Sequence, residues 1–138
     1  MHWRIEVPNE RHRLGALLDA IEHALIAHGI EQGVRDDLRL IAEEVVSNAM
    51  DYGGSPPSEP QHQIVVDIRR HEDRLHVEFR DSGQPFDPFS QAPPDLDADL
   101  LDRAIGGLGV HLVREIAESA SYEREEPYNI VRVVLRAV

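Results

Sequence analysis

Trp3, Ile5 and Val7 alternate with His2, Arg4 and Glu6, the period of a strand with one buried face. Pro8-Asn9 breaks that pattern, and Asn9 is placed to cap a following helix. Leu14, Leu17, Leu18, Ile21, Ala24 and Leu25 recur at helical spacing, and Gly29 suits the position just past that helix. After a short link at residues 31–33, a longer helix is expected over residues 36–52. Val34, Leu38, Ile41, Val45 and Ala49 give it an apolar stripe. Gly53-Gly54-Ser55-Pro56-Pro57 cannot continue it.

Two alternating runs follow, Ile64, Val66, Ile68 and then Leu75, Val77, Phe79, with a link at residues 70–73 that predicts an antiparallel hairpin. Periodicity is lost over residues 84–105, which carry Pro85, Pro88, Pro93, Pro94 and several acids. So long an irregular stretch reads as a functional lid, with residues 96–103 as a short helix inside it. A helix is expected over residues 108–118, turning Leu112, Val113 and Ile116 inward. Ala120 and Tyr122 mark a strand, residues 127–129 a turn, and Val131, Val133, Leu135 and Ala137 the last strand. This order predicts an α+β two-layer sandwich: a mixed, mostly antiparallel sheet with helices on one face. No repeat or linker divides it, so residues 1–138 are read as one domain.

Composition narrows the function. A chain of 138 residues, 41% hydrophobic and 29% charged, can bury a core as a single globular unit. Its 26 acidic and 14 basic residues give a net charge of −12, which repels phosphate backbones and argues against direct nucleic-acid binding. Without cysteine there is no disulfide or thiolate chemistry. No apolar run approaches a membrane span or a signal-peptide core, so no membrane association is expected and the cytoplasm is the expected compartment. The eight histidines lack a metal-binding spacing: His23 and His28 fall off one helical face, and no His-Glu-x-x-His accompanies them.

Three places carry candidate chemistry. On the central helix, Glu44, Asn48 and Asp51 stand at i, i+4 and i+7 and share a face, with Asn48 nearly in line with Ile41 of the apolar stripe. A polar group there costs stability unless it is paired or used. A carboxylate and an amide oxygen one turn apart suit a hard cation beside a phosphate and a nucleophile to be deprotonated. Second, Asp81-Ser82-Gly83 ends a strand; the carboxylate can accept from an adenine amino group, and Gly83 lets backbone approach a base. Third, Gly106-Gly107-Leu108-Gly109 stands before a helix, where free amides and the helix dipole attract phosphate oxygens. It is neither a P-loop, for want of the Gly-Lys-Ser/Thr ending, nor a dinucleotide fingerprint, since Leu112 holds the third glycine position.

Taken in this order and spacing, Glu44-Val-Val-Ser-Asn48-Ala, Asp81-Ser-Gly with Phe86-Asp87-Pro88, and Gly106-Gly-Leu-Gly-Val110 resemble the ATP-binding (GHKL) domain shared by gyrase, histidine kinases and MutL. They are most similar to its small single-domain branch, the bacterial anti-sigma-factor serine kinases. The resemblance implies ATP and Mg²⁺ as cofactors, with Asn48 as the Mg²⁺ ligand and Glu44 as the general base toward a serine hydroxyl. It implies Asp81 and Gly83 at the adenine with Phe86 beside them, and Gly106, Gly107, Leu108, Gly109 and Val110 at the phosphates. Where relatives often carry His, this chain has Tyr52. The partners implied are a sigma factor, held inactive, and a small STAS-type antagonist that is phosphorylated; family members are often homodimers. A nucleotide-gated binding module without phosphotransfer is the alternative reading.

Overall fold

The computed structural model describes residues 1–52, 63–90 and 105–137, with 52 and 105–109 by the backbone alone. The expected helix over residues 96–103 lies outside the described residues. Strand β1 (His2–Pro8) leads through a 3-10 turn (Arg11–Arg13) into α1 (Leu14–Ala27) and α2 (Gln32–Tyr52). The hairpin β2 (Gln63–His71) and β3 (Arg74–Asp81) follows, then a second 3-10 turn (Pro88–Ser90), α3 (Ile105–Ile116), and the hairpin β4 (Ser119–Glu125) and β5 (Tyr128–Arg136). The five strands form one sheet in the order β1-β2-β3-β5-β4. Every strand pair among the described residues is antiparallel, so the parallel component expected of a mixed sheet is not found there. With the helices packed on the sheet the architecture is a two-layer α+β sandwich. No helix of the described residues is long and apolar enough to cross a membrane.

Register explains the core. Trp3, Ile68, Val77, Val133 and Ala120 are successive cross-strand partners, and so are Ile5, Val66, Phe79, Val131 and Tyr122. Onto these rows pack Leu17, Ile21 and Leu25 of α1 and Leu38, Ile41 and Val46 of α2, all essentially without solvent exposure. Each such side chain contributes about 1.5–3 kcal/mol relative to an exposed position. The opposite face of the sheet alternates to Arg4, Asp67, Glu78 and Arg132; there Asp67 pairs with Arg69, and Glu78 with Arg80 and Arg132.

Several expected boundaries move, each for a local reason. Asn9 caps nothing: the chain first makes the 3-10 turn behind Glu10, and the Asn9 Nδ2 is buried without a partner. The central helix starts earlier than expected, at Gln32 rather than near residue 36, and takes in part of the expected link. Gly29 adopts φ +71, and the N–H groups of Gly29 and Ile30 return to the carbonyls of Ile26 and Leu25 at 3.1 and 3.0 Å. This closes α1 and buries Ile30 against the core. Arg35 then donates to the Ile30 carbonyl at 2.7 Å and to Glu22 at 3.0 Å, so the first turn of α2 is tied to α1. The first hairpin turns on Glu72 and Asp73 alone, with Glu72 at φ 56. In α3 only Val113 of the expected inward residues is fully buried; Ile116 is partly buried against the core and Leu112 is 39% exposed.

Two glycines test this account with opposite signs. A Cβ at Gly29 or at Gly33 meets no atom within 4 Å, so backbone conformation alone decides the cost. Gly29→Ala forces a Cβ into the left-handed region and lowers stability by about 1–2 kcal/mol. Gly33→Ala, on an exposed turn of α2, raises it by about 0.5–1 kcal/mol. Urea unfolding of the two variants checks both signs.

Candidate functional site

The next row of the sheet changes character. Val7, Ile64, Asp81, Asn129 and Arg124 are successive cross-strand partners, so the core-facing positions pass from apolar to acid, amide and cation. Asp81 is 8% exposed and Asn129 3%. Burial of this kind requires partners. The Asp81 Oδ1 accepts from the Gly83 N–H at 2.9 Å and from the Asn129 Nδ2 at 3.1 Å. Asn129 also donates to the Gln84 carbonyl at 2.7 Å and accepts from the Phe86 N–H at 3.2 Å and the Tyr122 hydroxyl at 2.6 Å. Arg124 donates to the Gly83 carbonyl at 2.8 Å. The chain leaving β3 is therefore wrapped around one amide. Burial, the largest cause, raises the Tyr122 pKa and keeps the phenol a donor.

Above this row stands α2. Asn48, 7% exposed, joins Val45, Ala49, Ile64, Phe79, Asp81, Phe86 and Asn129 in lining a narrow hollow open to solvent. Its Nδ2 donates to the Glu44 Oε1 at 3.2 Å, one turn back along the helix and beside the hollow. That bond leaves the Asn48 Oδ1, a neutral oxygen of the type a hard cation takes, without a donor among the described residues. The donor chemistry fits Mg²⁺. Glu44 is half-buried, and desolvation, the largest cause, raises its pKa above the usual glutamate value. The Asn48 bond lowers it, and the charges of Glu43 and Asp51 raise it further. Asp51 itself pairs with Arg11 at the surface.

The glycine motif does not precede a helix. Gly106, Gly107, Leu108 and Gly109 lie within the opening of α3, which begins at Ile105, and Val110 follows, partly buried. The amides of that first turn have no acceptor four residues back within the helix, so their attraction for anions is retained. The α3 helix packs against α2, which carries Glu44 and Asn48. Arg114 holds the 3-10 turn Pro88–Ser90: it lies over the Phe89 ring at 5.1 Å and donates to the Phe89 carbonyl.

The hollow thus gathers Asn48, Asp81 and Phe86, with Gly83 bonded to Asp81 and Glu44 bonded to Asn48. Asn129 was not among the sequence candidates. Residues 127–129 read as a turn, whereas the turn is Glu126-Pro127 and both Tyr128 and Asn129 belong to β5. One further step back along the alternation Val131, Val133, Leu135 puts Asn129 on the core face.

A family model described as the histidine kinase-like ATPase domain matches residues 7–135. The chain belongs to that family. It is similar to the serine/threonine-protein kinase BtrW of Bordetella bronchiseptica, 28% identical over 109 residues, covering 79% of this chain and 75% of that protein. It is similar also to the serine-protein kinase RsbW of Listeria monocytogenes, 26% identical over 100 residues, covering 70% of this chain and 62% of RsbW. Among solved structures, the RsbU and RsbW domains of Rv1364c from Mycobacterium tuberculosis superpose with a TM-score of 0.71 at 14% identity, over 99% of this chain and 32% of that one. The blue-light activated histidine kinase of Erythrobacter litoralis superposes with a TM-score of 0.57 at 18% identity, over 95% and 62%. At those identities the structural matches show the fold.

The raised pKa of Glu44 has a stability signature. An acid whose folded pKa lies above its unfolded value favours folding most below the unfolded pKa, and that advantage is lost as pH rises through the folded pKa. Glu44→Gln keeps an oxygen for the Asn48 bond and removes the ionisation. Its melting temperature relative to wild type should therefore rise between pH 4 and pH 8. A difference that stays flat, or falls, over thermal melts in that range counts against a desolvated carboxylate.

Proposed function

We propose that residues 1–138 form a single ATP- and Mg²⁺-dependent protein serine kinase domain of the cytoplasm. In this reading it also sequesters a sigma factor and phosphorylates a small STAS-type antagonist in a partner-switching circuit. The observation that carries the reading is the hollow itself. A buried carboxylate, Asp81, and a buried amide, Asn48, line it, and a half-buried carboxylate, Glu44, is bonded to that amide. Similarity to two proteins named as serine kinases supports the reaction class.

Each residue has a separable task. Asp81 accepts a hydrogen bond from the adenine amino group, and the loop through Gly83 and Phe86 borders the base. Asn48 supplies one oxygen to the Mg²⁺, which neutralises charge on the phosphates when bound. The first-turn amides of α3, at Gly106, Gly107, Leu108 and Gly109 and on to Val110, attract the phosphate oxygens. Glu44 takes the proton of a serine hydroxyl as that oxygen bonds to the γ-phosphorus. The bond from that phosphorus to the bridging oxygen breaks, and ADP leaves. Desolvation of Glu44 makes it a stronger base than an exposed glutamate.

The variants should fail differently. Glu44→Gln binds ATP at near wild-type strength and still captures the sigma factor, while label transfer from [γ-³²P]ATP to the antagonist serine falls roughly 10²–10⁴-fold. Transfer at the wild-type rate rules out Glu44 as the base. Sigma capture with no transfer by the wild-type protein leaves a nucleotide-gated binding module.

Nucleotide affinity separates the other two residues. Asn48→Ala loses ATP affinity in a way that added Mg²⁺ rescues little. Asp81→Asn loses about 1–3 kcal/mol of ATP binding, the cost of one partner of a buried hydrogen bond. Titration calorimetry reads both, and wild-type affinity in Asp81→Asn removes Asp81 from the base.

A further inference from the structure

A primary amide has two N–H donors and two acceptor lone pairs. In Asn129 all four are spent. Its Nδ2 donates to the Asp81 Oδ1 and the Gln84 carbonyl, and its Oδ1 accepts from the Phe86 N–H and the Tyr122 hydroxyl. Although Asn129 lines the hollow, its amide therefore has no donor or acceptor left for a nucleotide base. Its effect on a ligand passes through Asp81.

The amide can face only one way. Turning it over sets its oxygen against the Asp81 carboxylate and the Gln84 carbonyl, and its NH₂ against the Phe86 N–H. At 3% exposure no bulk water is at hand to repair those losses. The donor side therefore always meets Asp81, and the Gly83 N–H reinforces it on the same oxygen. Two donors on one carboxyl oxygen stabilise the charged form more than the neutral one, which favours the carboxylate over a carboxylic acid that could itself donate. The backbone holds this arrangement, because Asp81 and Asn129 are direct cross-strand partners in the antiparallel register of β3 and β5.

We propose that Asn129 is a positioning residue that sets base specificity: it keeps Asp81 a hydrogen-bond acceptor, so the site takes purines with a 6-amino donor and rejects 6-oxopurines. This rests on the reading of Asp81 as the residue that faces the base. Adenine brings an amino group to that edge. Hypoxanthine and guanine bring a carbonyl oxygen, which meets a carboxylate as a second acceptor with no proton between them.

The test compares MgATP with MgITP on the full chain by titration calorimetry. Inosine triphosphate carries the carbonyl without the extra amine of guanine, which could bind a carboxylate in a shifted pose. Wild-type protein should prefer ATP by about tenfold or more, the size of one hydrogen bond exchanged for an acceptor–acceptor contact. Asn129→Asp is isosteric but places a second carboxyl group against Asp81, so the pair shares a proton and can donate as well as accept. Its preference for ATP should collapse toward parity at neutral pH. Asn129→Ser keeps a hydroxyl donor for Asp81 and gives up the loop contacts, so both nucleotides should weaken together with the preference retained. A residue that merely stabilised the fold would lower both affinities in both variants and leave the ratio alone.

Thermal melts establish that the variants are folded. Equal wild-type affinity for the two nucleotides, or no ATP binding, overturns the reading of Asp81 and this inference with it. A wild-type preference that a folded Asn129→Asp keeps in full overturns the role of Asn129 alone and leaves Asp81 in place. If Asn129→Asp does not fold, Asn129→Ala, which removes the donor to Asp81, decides: a preference that falls toward parity supports the proposal, and one retained in full overturns it.

Discussion

The register of β3 against β5 is the constraint on which the site depends. It sets Asp81 opposite Asn129 on the face of the sheet that carries the apolar core. Two polar side chains in that position must satisfy one another or be solvated, and they do the former. The consequence reaches outward. The amide that satisfies Asp81 also takes the Gln84 carbonyl and the Phe86 N–H, so the direction in which the chain leaves β3 follows from the pairing. That direction forms one wall of the hollow, and α2, seated on the sheet through Leu38, Ile41 and Val46, forms the other. A slip of one residue would turn Asp81 to solvent and Phe86 away from its anchor.

The α2 wall repeats the compromise in another form. Asn48 sits at a position where burial rewards an apolar side chain, and among the described residues the bond it makes, to Glu44, uses only its donor side. Glu44 gains that bond yet stays half-desolvated, with Glu43 and Asp51 adding repulsion. Neither residue is placed to maximise stability. A helix of 21 residues, held by its apolar stripe and by Arg35 at its start, can carry such a cost because the rest of its contacts are conventional.

Much of the fold is legible in the sequence, since alternation and helical spacing report directly which face is buried. Ile64, Val66 and Ile68, or Leu17, Ile21 and Leu25, behave as their spacing requires. Boundaries are less legible because tertiary bonds settle them. Gly29 correctly ends α1, but the early start of α2 depends on Arg35 reaching Ile30 and Glu22, which no local pattern announces. The site follows the same division. Asn48 is visible as a polar residue in line with an apolar stripe, Glu44 as the acid one turn before it, and Asp81 as the acid of the Asp-Ser-Gly that ends its strand. Asn129 is hidden, because Pro127-Tyr128-Asn129 has the composition of a turn and becomes strand only through its pairing with β3. Leu112 errs the other way: helical spacing marks it as inward, while the packing of α3 on α2 buries Val113 and leaves Leu112 outside.

The change of character along the sheet, from Trp3, Ile68, Val77 and Val133 at one end to Asp81, Asn129 and Arg124 at the other, divides β3 and β5 into two regimes. Toward the apolar end, opening a strand exposes side chains that water does not welcome. Toward the polar end, opening exchanges protein hydrogen bonds for bonds to water, which costs far less. Opening β3 and β5 from the polar end therefore costs less than opening them from the apolar end.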